Sequence, residues 1–458
     1  MHRGWLGLGA AFAVVVASGA AAQTPDSADP ERPGSVLKDP YRYTRNVRVA
    51  ELTPLQAMGK GSSARGQLGR AGYFRVRGEL DESSKAARLC LQAVANEPAD
   101  STKGIEYLCS ATLAGNLLMQ GDIAGWATQM LRVRVQLKRD ILPLLKNERE
   151  IHVAGINEPA FERFTTWPRH AIPVQAPATD ISVPLQLENE LPILTLNVRT
   201  ATGERELRVH VDTGAAHSRI GRALAAELGL TLTEGFMAAD GQAGRLYALA
   251  TPVELDIGGL PVRDVSFAVL GTDDLPRIGL DVLRALGRVR INKDSLVIQA
   301  PNSMVPCTRR MATLSSLWGD VHELRYPIRT GKSNVLVKMD TGFNGVFQVR
   351  QMTPPAVPAE ALVQRKNVVT IEGSEDIEYV VANVPVMIGQ EVLSVPVDLV
   401  LTPAADTVFY QEWRAGFAST RRYSLYMDVA GTYGCPVSVE EAPPLFPPKP
   451  VAAPAASS

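Results

Sequence analysis

The tripeptide Asp-Thr-Gly occurs twice in this chain of 458 residues, beginning at Asp212 and at Asp340. Each copy directly follows a run in which apolar residues alternate, the pattern of a half-buried strand. The alternating apolar positions are Leu207, Val209, Val211, Val335, Val337 and Met339. Each strand would therefore end in a carboxylate. Two carboxylates that meet at short range hold one proton between them, and such a pair can act as general base and general acid.

The similarity between the two copies extends beyond the tripeptide. The first copy continues to a turn at Ile257-Gly258 and an apolar stretch over residues 265–270. The second continues to the same kind of turn at Ile388-Gly389 and an apolar stretch over residues 395–401. The distance from the tripeptide to the turn differs between the two copies by only a few inserted residues. The pattern predicts a structural unit that is repeated within one chain.

The first copy carries one more motif, Arg277-Ile278-Gly279-Leu280-Asp281, which leads into a short helical run. The second copy has no apolar-Gly-x-Asp match. Its nearest equivalent is Ala415-Gly416, before the predicted strand at residues 423–429. The sequence therefore leaves open how the loop that carries Asp340 is supported.

With these motifs the chain resembles the retropepsin-like and pepsin-like aspartic proteases. Residues 190–300 are similar to one complete retropepsin lobe, and residues 322–435 are similar to a second, more divergent lobe. The resemblance implies a mainly β fold of two retropepsin-like closed lobes in one chain, a pepsin-like pseudo-dimer. It also implies that Asp212 and Asp340 form the catalytic pair at the interface of the lobes.

The same resemblance implies roles for the residues around the pair. Thr213 and Thr341 would cross-brace the two loops, and Gly214 and Gly342 would permit a tight backbone there. Ile278 and Gly279 would support the first loop. Hairpin flaps that cover an extended substrate are expected near residues 239–244 and 372–376, where glycines lie between β-prone runs, namely Gly241, Gly244 and Gly373.

The residues that follow the two motifs bear on the working pH. Ala215 and Phe343 stand where a Ser or Thr hydroxyl could donate a hydrogen bond to the neighbouring carboxylate. Because neither side chain can donate, we expect a mildly acidic optimum in place of a strongly acidic one.

The N-terminus has the three parts of a secretory signal peptide: a positively charged start, an apolar run over residues 6–17 and small residues up to Ala22. Cleavage near Ala22 would give a periplasmic or secreted protein. Gln23 occupies the position where a lipoprotein needs Cys, so no lipid anchor is expected. No later segment is long and apolar enough to span a bilayer. The formal net charge of −1 gives no indication of nucleic-acid binding.

Four cysteines in an exported chain suggest two disulfides. Cys90 and Cys109 fall on consecutive helical patterns, while Cys307 and Cys435 bracket the second lobe, and we pair them in that way. Sequence alone leaves other pairings and free thiols open.

Helical periodicity begins at Asp81 and predicts three helices, up to Pro98, from about Ser101 to Gly121, and from Ile123 to about Leu144. The predicted divisions are a signal peptide over 1–22, an extended lead-in over 23–80, a helical domain over 81–165, lobes over 180–300 and 301–439, and a disordered Pro- and Ala-rich tail over 440–458. The helical domain is either a packing or docking module that could recruit a protein partner, or a propeptide over the cleft.

The sequence thus predicts an exported, monomeric aspartic endopeptidase that acts on polypeptides with an activated water and needs no cofactor or metal. Its six histidines show no metal-ligand spacing, and no nucleophile turn or phosphate loop is present. The alternative from another class is a non-catalytic peptide- or protein-binding module on the same fold.

Overall fold

The protein is mainly β, with a helical region before two sheets. The computed structural model describes residues 38–144, 159–172, 174–238, 246–271, 275–303, 307, 310–331, 333–353, 362–370, 373–388, 391–402 and 411–438. The predicted signal peptide and the tail over 440–458 lie outside the described residues. Among the described residues, no helix combines the length and apolarity needed to cross a membrane.

The helical region contains six α-helices within the described residues: α1 Lys38–Arg48, α2 Leu52–Met58, α3 Ala64–Val76, α4 Leu80–Val94, α5 Ala99–Met119 and α6 Ile123–Gln136. A short π-helix (Leu137–Ile141) and two short 3-10 helices (Leu142–Leu144 and Phe161–Phe164) follow. The three helices predicted from Asp81 onward correspond to α4, α5 and α6. Asp122 caps α6, because its Oδ1 accepts a hydrogen bond from the Gly125 amide at 2.8 Å.

The prediction of an extended lead-in over residues 23–80 is wrong for residues 38–76, which form α1, α2 and α3. Helix α3 lacks a clear apolar stripe because it is buried on most sides and carries three glycines at a spacing of three. A Cβ on Gly69 would lie 2.5 Å from the Gly59 amide nitrogen, and a Cβ on Gly72 would lie 2.6 Å from the Tyr43 ring. These glycines therefore mark close helix packing, although in the sequence they suggest a loop.

The first lobe comprises strands β1 to β12 and two short helices. The strands are β1 Ile181–Glu188, β2 Leu191–Thr200, β3 Gly203–Val211, β4 Arg219–Ile220, β5 Leu232–Ala238, β6 Leu246–Ala250, β7 Val253–Ile257, β8 Leu260–Val265, β9 Ala268–Val269, β10 Arg277–Ile278, β11 Arg288–Ile291 and β12 Ser295–Ile298. The helices are α7 Arg222–Glu227 and α8 Leu280–Leu286. Strand β10 lies parallel to β3, the strand that ends before Asp212.

The second lobe is built on an eight-stranded sheet in the order β13-β14-β15-β20-β16-β19-β18-β17. Its strands are β13 Ala312–Ser315, β14 His322–Thr330, β15 Ser333–Met339, β16 Phe347–Gln351, β17 Gln364–Thr370, β18 Gly373–Ile388, β19 Glu391–Val400 and β20 Gln411–Ala415. Strand β20 lies parallel to β15, the strand that ends before Asp340. The two lobes therefore repeat the same local arrangement.

The final two strands, β21 Tyr423–Asp428 and β22 Tyr433–Ser438, leave the second lobe. We assigned them to that lobe from the sequence, but β21 pairs antiparallel with β11 and extends the fourteen-stranded sheet of the first lobe. The end of the chain therefore returns to the first lobe's sheet, and the two lobes share one apolar core. The disulfide Cys307–Cys435 attaches β22 to the chain before β13. The other disulfide, Cys90–Cys109, joins α4 to α5, so both predicted pairings are confirmed.

The helical region shares an apolar core with the lobes. Trp126 of α6 packs edge-to-face on Phe236 of β5, with ring centroids 5.2 Å apart. Phe164 also packs on Phe236, at 5.4 Å. Leu317 and Trp318 of the second lobe belong to the same buried cluster. The helices are therefore an integral layer of the fold that supports the β5–β6 hairpin from outside.

Candidate active site

The two predicted carboxylates lie at equivalent places in the two lobes. The Asp212 amide donates to the Ile278 carbonyl at 3.0 Å, and the Asp340 amide donates to the Ala415 carbonyl at 3.0 Å. Ala415-Gly416 is thus the structural counterpart of Ile278-Gly279, which the sequence suggested only as the nearest candidate. Each Asp is held where its own strand ends beside a parallel neighbour.

The threonines of the two motifs hydrogen-bond across the lobe interface. The Thr213 amide donates to Thr341 Oγ1 and the Thr341 amide donates to Thr213 Oγ1, both at 3.0 Å. Thr341 Oγ1 also donates to the Val211 carbonyl at 2.6 Å. All of these groups are buried. This cross-brace fixes the two carboxylate-bearing loops relative to each other.

The motif glycines make room for the carboxylate of the opposite lobe. A Cβ on Gly214 would lie 2.4 Å from Asp340 Oδ1, and a Cβ on Gly342 would lie 2.7 Å from Asp212 Oδ1. Neither glycine has a positive φ. Glycine is therefore required here by the close approach of the opposite carboxylate, and not by the backbone conformation that we expected.

A second pair of glycines supports the loops from beneath. A Cβ on Gly279 would lie 2.6 Å from the Ala215 carbonyl oxygen, and one on Gly416 would lie 2.4 Å from the Phe343 carbonyl oxygen. The Phe417 amide donates to the Phe343 carbonyl at 2.8 Å, as the Leu280 amide does to the Ala215 carbonyl at 2.9 Å. The second loop therefore has the same backbone support as the first. A 3-10 turn, Phe417–Arg421, replaces helix α8 behind it.

Behind the first loop, Asp281 is the centre of a buried hydrogen-bond network. Its carboxylate accepts from the Ser218 hydroxyl at 2.6 Å and from the Ser218 amide at 2.8 Å. His170 Nε2 lies 2.8 Å from the same carboxylate, and His170 Nδ1 accepts from the Ser266 amide at 3.0 Å. Burial alone would raise the pKa of Asp281, but the hydrogen bonds from His170 and Ser218 hold it well below its usual range. The second lobe has Ala418 at this position, and its described residues form no such network.

The structure also places an arginine beside each carboxylate, which our reading of the sequence missed. Arg277 Nη1 lies 3.0 Å from Asp212 Oδ2, and Arg414 Nε lies 3.4 Å from Asp340 Oδ2. The arginines precede Ile278 and Ala415, so they too are related by the repeat. The shared pattern Arg-apolar-Gly in β10 and β20 was visible in the sequence, but its position beside the dyad was not.

The expected mildly acidic optimum, which was argued from Ala215 and Phe343, stays a prediction. That expectation assumed that, with Ala215 and Phe343 in place of hydroxyl residues, the carboxylates have no side-chain donor. Arg277 supplies a charged donor to Asp212 within its own lobe.

His210 is buried behind the lobe interface and links the two lobes by a hydrogen bond. Its Nε2 is 3.3 Å from the Thr341 carbonyl oxygen, so it donates across the lobes. Burial lowers its pKa. The equivalent residue of the second lobe is Lys338, which forms a 2.8 Å ion pair with Glu323.

The two predicted flap regions are described to different extents. Gly241 and Gly244 lie outside the described residues, although β5 and β6 pair antiparallel up to Ala238 and Leu246 on either side of them. Strands β17 and β18 form a hairpin in which Thr370 pairs with Gly373. Lys366 of this hairpin lies 4.8 Å from the centre of the Phe343 ring, so the hairpin reaches the loop that carries Asp340.

Within the described part of the chain, no group of three or more His, Cys, Asp or Glu side chains is arranged to hold a metal ion. The Asp212 carboxylate accepts from the Gly214 amide and from the Arg277 guanidinium, and the Arg414 guanidinium lies beside Asp340. The arrangement is suited to polarising and deprotonating a water molecule placed between two carboxyl groups.

Comparisons with known proteins agree with this geometry for the first lobe. A family model described as "gag-polyprotein putative aspartyl protease" matches residues 198–285. The matched segment includes Asp212 and Gly279. A comparison with curated proteins finds no match.

Solved structures with similar folds include three proteins of low identity. They are an aspartic proteinase from Irpex lacteus (13% identity, 57% of this chain and 98% of that one, TM-score 0.35), edgp (12%, 57% and 95%, 0.34) and basic 7S globulin from soybean (12%, 59% and 100%, 0.33). With identities of 12–13% and TM-scores of 0.33–0.35, no conclusion about this chain follows from these similarities.

Proposed function

We propose that the protein is an aspartic endopeptidase whose catalytic residues are Asp212 and Asp340. The observation that carries the proposal is the reciprocal hydrogen bonding of Thr213 and Thr341, which sets each carboxylate against the glycine of the opposite loop. An interface that only joined two lobes would not need to bring two carboxylates together. The family match over residues 198–285 supports a protease-type function.

In the proposed reaction, one water molecule lies between the two carboxyl groups, which share one proton. The ionised carboxylate removes a proton from the water as it attacks the scissile carbonyl carbon. The protonated partner donates a hydrogen bond to the developing oxyanion and later gives its proton to the leaving amine. No cofactor enters this sequence. The Thr213–Thr341 brace would keep the carboxyl groups in place throughout.

The substrate would be a polypeptide in extended conformation across the lobe interface, covered by the β17–β18 hairpin and by the segment between β5 and β6. Because both lobes are in one chain, a monomer would hold a complete site. The shared core supports a helical region that stays in place as a packing layer, in preference to a removable propeptide. The two disulfides support an oxidising compartment, such as the periplasm or the cell exterior.

The decisive assay incubates the purified protein with a reduced and alkylated protein substrate, with and without a statine-type transition-state mimic. We expect cleavage that the mimic blocks. Asp212→Asn and Asp340→Asn should each abolish turnover and leave the melting temperature near that of the wild type. The exposed Asp294, which lies in the β11–β12 turn, provides the control Asp294→Asn with normal activity.

Near-normal proteolysis by Asp340→Asn would exclude the second carboxylate from the reaction and would require first lobes to pair between two chains. Sedimentation combined with activity at several dilutions tests that alternative. Activity per molecule should stay constant on dilution if the monomer is sufficient.

A second candidate function has one specific observation in its favour. Each carboxylate is already paired with an arginine, Arg277 or Arg414, and a permanent ion pair would prevent the proton sharing that catalysis requires. The protein would then be a non-catalytic peptide-binding module. Binding of the statine-type mimic without cleavage of any substrate would favour this candidate.

A further inference from the structure

The site contains two positive charges that the proposed chemistry does not use. Arg277 and Arg414 lie opposite His210 and Lys338 in the parallel pairings of β10 with β3 and of β20 with β15. Each arginine therefore lies beside the residue that comes two positions before the proposed catalytic Asp of its lobe. The matched positions place one guanidinium on each side of the pair.

Both arginines lie closer to solvent than the carboxylates they contact. The side chains of Arg277 and Arg414 are 22% and 27% exposed, against 6% for Asp212 and 12% for Asp340. A substrate that lies across the two carboxylates must therefore pass the guanidiniums. The residues on either side of its scissile bond would contact them, one from each lobe.

The charge balance of the site favours an acidic substrate residue beside the scissile bond. A dyad with one shared proton carries a single negative charge, while the two guanidiniums carry two positive charges. One positive charge is therefore uncompensated in the reactive state. Once the substrate excludes water, an uncompensated charge is costly, and one carboxylate side chain from the substrate would neutralise it.

Hydrogen bonding leads to the same conclusion. Arg277 Nε is buried and has no hydrogen-bond partner among the described residues. Its contact with Asp212 uses Nη1 alone. A guanidinium offers donors in a planar fork that fits a carboxylate in bidentate fashion. An apolar substrate side chain would leave these donors unsatisfied.

We propose that Arg277 and Arg414 select polypeptides with a Glu or Asp directly beside the scissile bond. This inference rests on the proposed peptidase function and specifies its substrate class. The substrate carboxylate accepts hydrogen bonds from a guanidinium and draws it away from the catalytic carboxyl group. That carboxyl group is then free to share the proton on which the reaction depends.

The test begins with a peptide library digested by the wild-type protein, followed by mass spectrometry of the new termini. We expect Glu or Asp to be enriched at one of the two positions flanking the cleaved bond. Synthetic peptides that differ only at this position, with Glu, Gln or Leu, should then give a kcat/KM at least about tenfold higher for Glu.

The arginine variants identify the residue responsible. One of Arg277→Met and Arg414→Met should lose the preference for Glu over Leu, and the corresponding Lys variant should keep part of it. Arg199→Met is the matched control, because Arg199 pairs with Glu254 on the outer surface and should leave the preference unchanged. Equal cleavage of the Glu and Leu peptides by the wild type would overturn the proposal.

Binding separates this proposal from the peptidase function. Calorimetry with uncleavable statine peptides that carry Glu or Leu should show tighter binding of the Glu peptide, and the responsible Met variant should remove the difference. If nothing is cleaved but this preference is found, the peptidase function fails and the acidic selectivity stands. If proteolysis occurs with neither preference, the selectivity fails and the peptidase function stands.

Discussion

His170 lies in the segment that links the helical region to the first lobe, and its Nε2 is 2.8 Å from Oδ2 of Asp281. Asp281 in turn binds Ser218, whose hydroxyl accepts a hydrogen bond from the Gly279 amide at 3.0 Å. The first active-site loop is therefore connected to the linker through three consecutive hydrogen bonds. The second loop has no equivalent connection within the part of the chain that the structure describes.

Replacing His170 should weaken this connection. We expect His170→Ala to lower the free energy of unfolding by about 2 kcal/mol or more, because a buried carboxylate loses a donor. His170→Gln, which can still reach Asp281 with an amide N–H, should recover much of the loss. Urea unfolding at neutral pH measures both. The idea fails if the Ala and Gln variants are equally stable.

The threonine brace makes an asymmetric prediction. Thr341 Oγ1 accepts from Thr213 and donates to the Val211 carbonyl, whereas Thr213 Oγ1 shows only the accepted bond. Thr→Val keeps the side-chain shape, so the change in unfolding free energy reports the hydrogen bonds. We expect Thr341→Val to cost roughly 1–3 kcal/mol and Thr213→Val to cost less. Denaturant unfolding measures the order, and the reverse order would contradict the geometry.

How much of this site the sequence predicts depends on the distance over which each signal acts. Period-two alternation before Asp212 and Asp340 is local, and it predicted the strands that end in the two carboxylates, while the two lobes and the brace followed from the resemblance carried by the repeated motif. The roles of Arg277 and His170 depend on contacts 65 and 111 residues away along the chain, which no local pattern encodes. Helix α3 was missed for a different reason. Its glycines are required by neighbouring helices that the sequence does not show to be adjacent.

Buried histidines should make the fold sensitive to acid. Burial lowers the pKa of His322 to about 3, with a further contribution from the charge of Arg284. The unfolded-state value is about 6.5. Because the unfolded chain binds more protons between these values, the stabilising contribution is complete above about pH 6.5 and is lost as the pH falls toward 3. Burial lowers the pKa of His210 and His217 in the same direction.

His322→Leu tests this pH dependence, since both ring nitrogens of His322 lack hydrogen-bond partners among the described residues. Between pH 7.5 and 4.5 the wild type should lose roughly 2–3 kcal/mol through this residue alone, and the variant should lose correspondingly less. Urea midpoints at the two pH values provide the measurement. Parallel losses in wild type and variant would show that His322 is not buried in its neutral form.

The last prediction concerns Arg75, which joins the helical region to the second lobe. Its guanidinium is fully buried, and it donates to Ser315 Oγ at 2.8 Å, to the Thr112 carbonyl at 3.0 Å and to the Ser316 carbonyl at 2.5 Å. Burial lowers its pKa to about 10, so it stays charged at neutral pH. Two carbonyls and a hydroxyl in different elements thus depend on one side chain.

We expect Arg75→Met to remove the hydrogen bonds that link α3 to Thr112, Ser315 and Ser316 and to uncouple the helices from the lobes, at a cost of roughly 3 kcal/mol or more. Wild type should unfold in one transition by far-ultraviolet circular dichroism and by tryptophan fluorescence. In the variant, helical signal should be lost first, because α3 to α6 no longer share their anchor with β13. Arg88→Met, on the exposed face of α4, is the control and should unfold like the wild type. Coincident transitions in Arg75→Met would mean that the apolar contacts of Trp126 and Phe164 with Phe236 hold the helical region in place without the guanidinium.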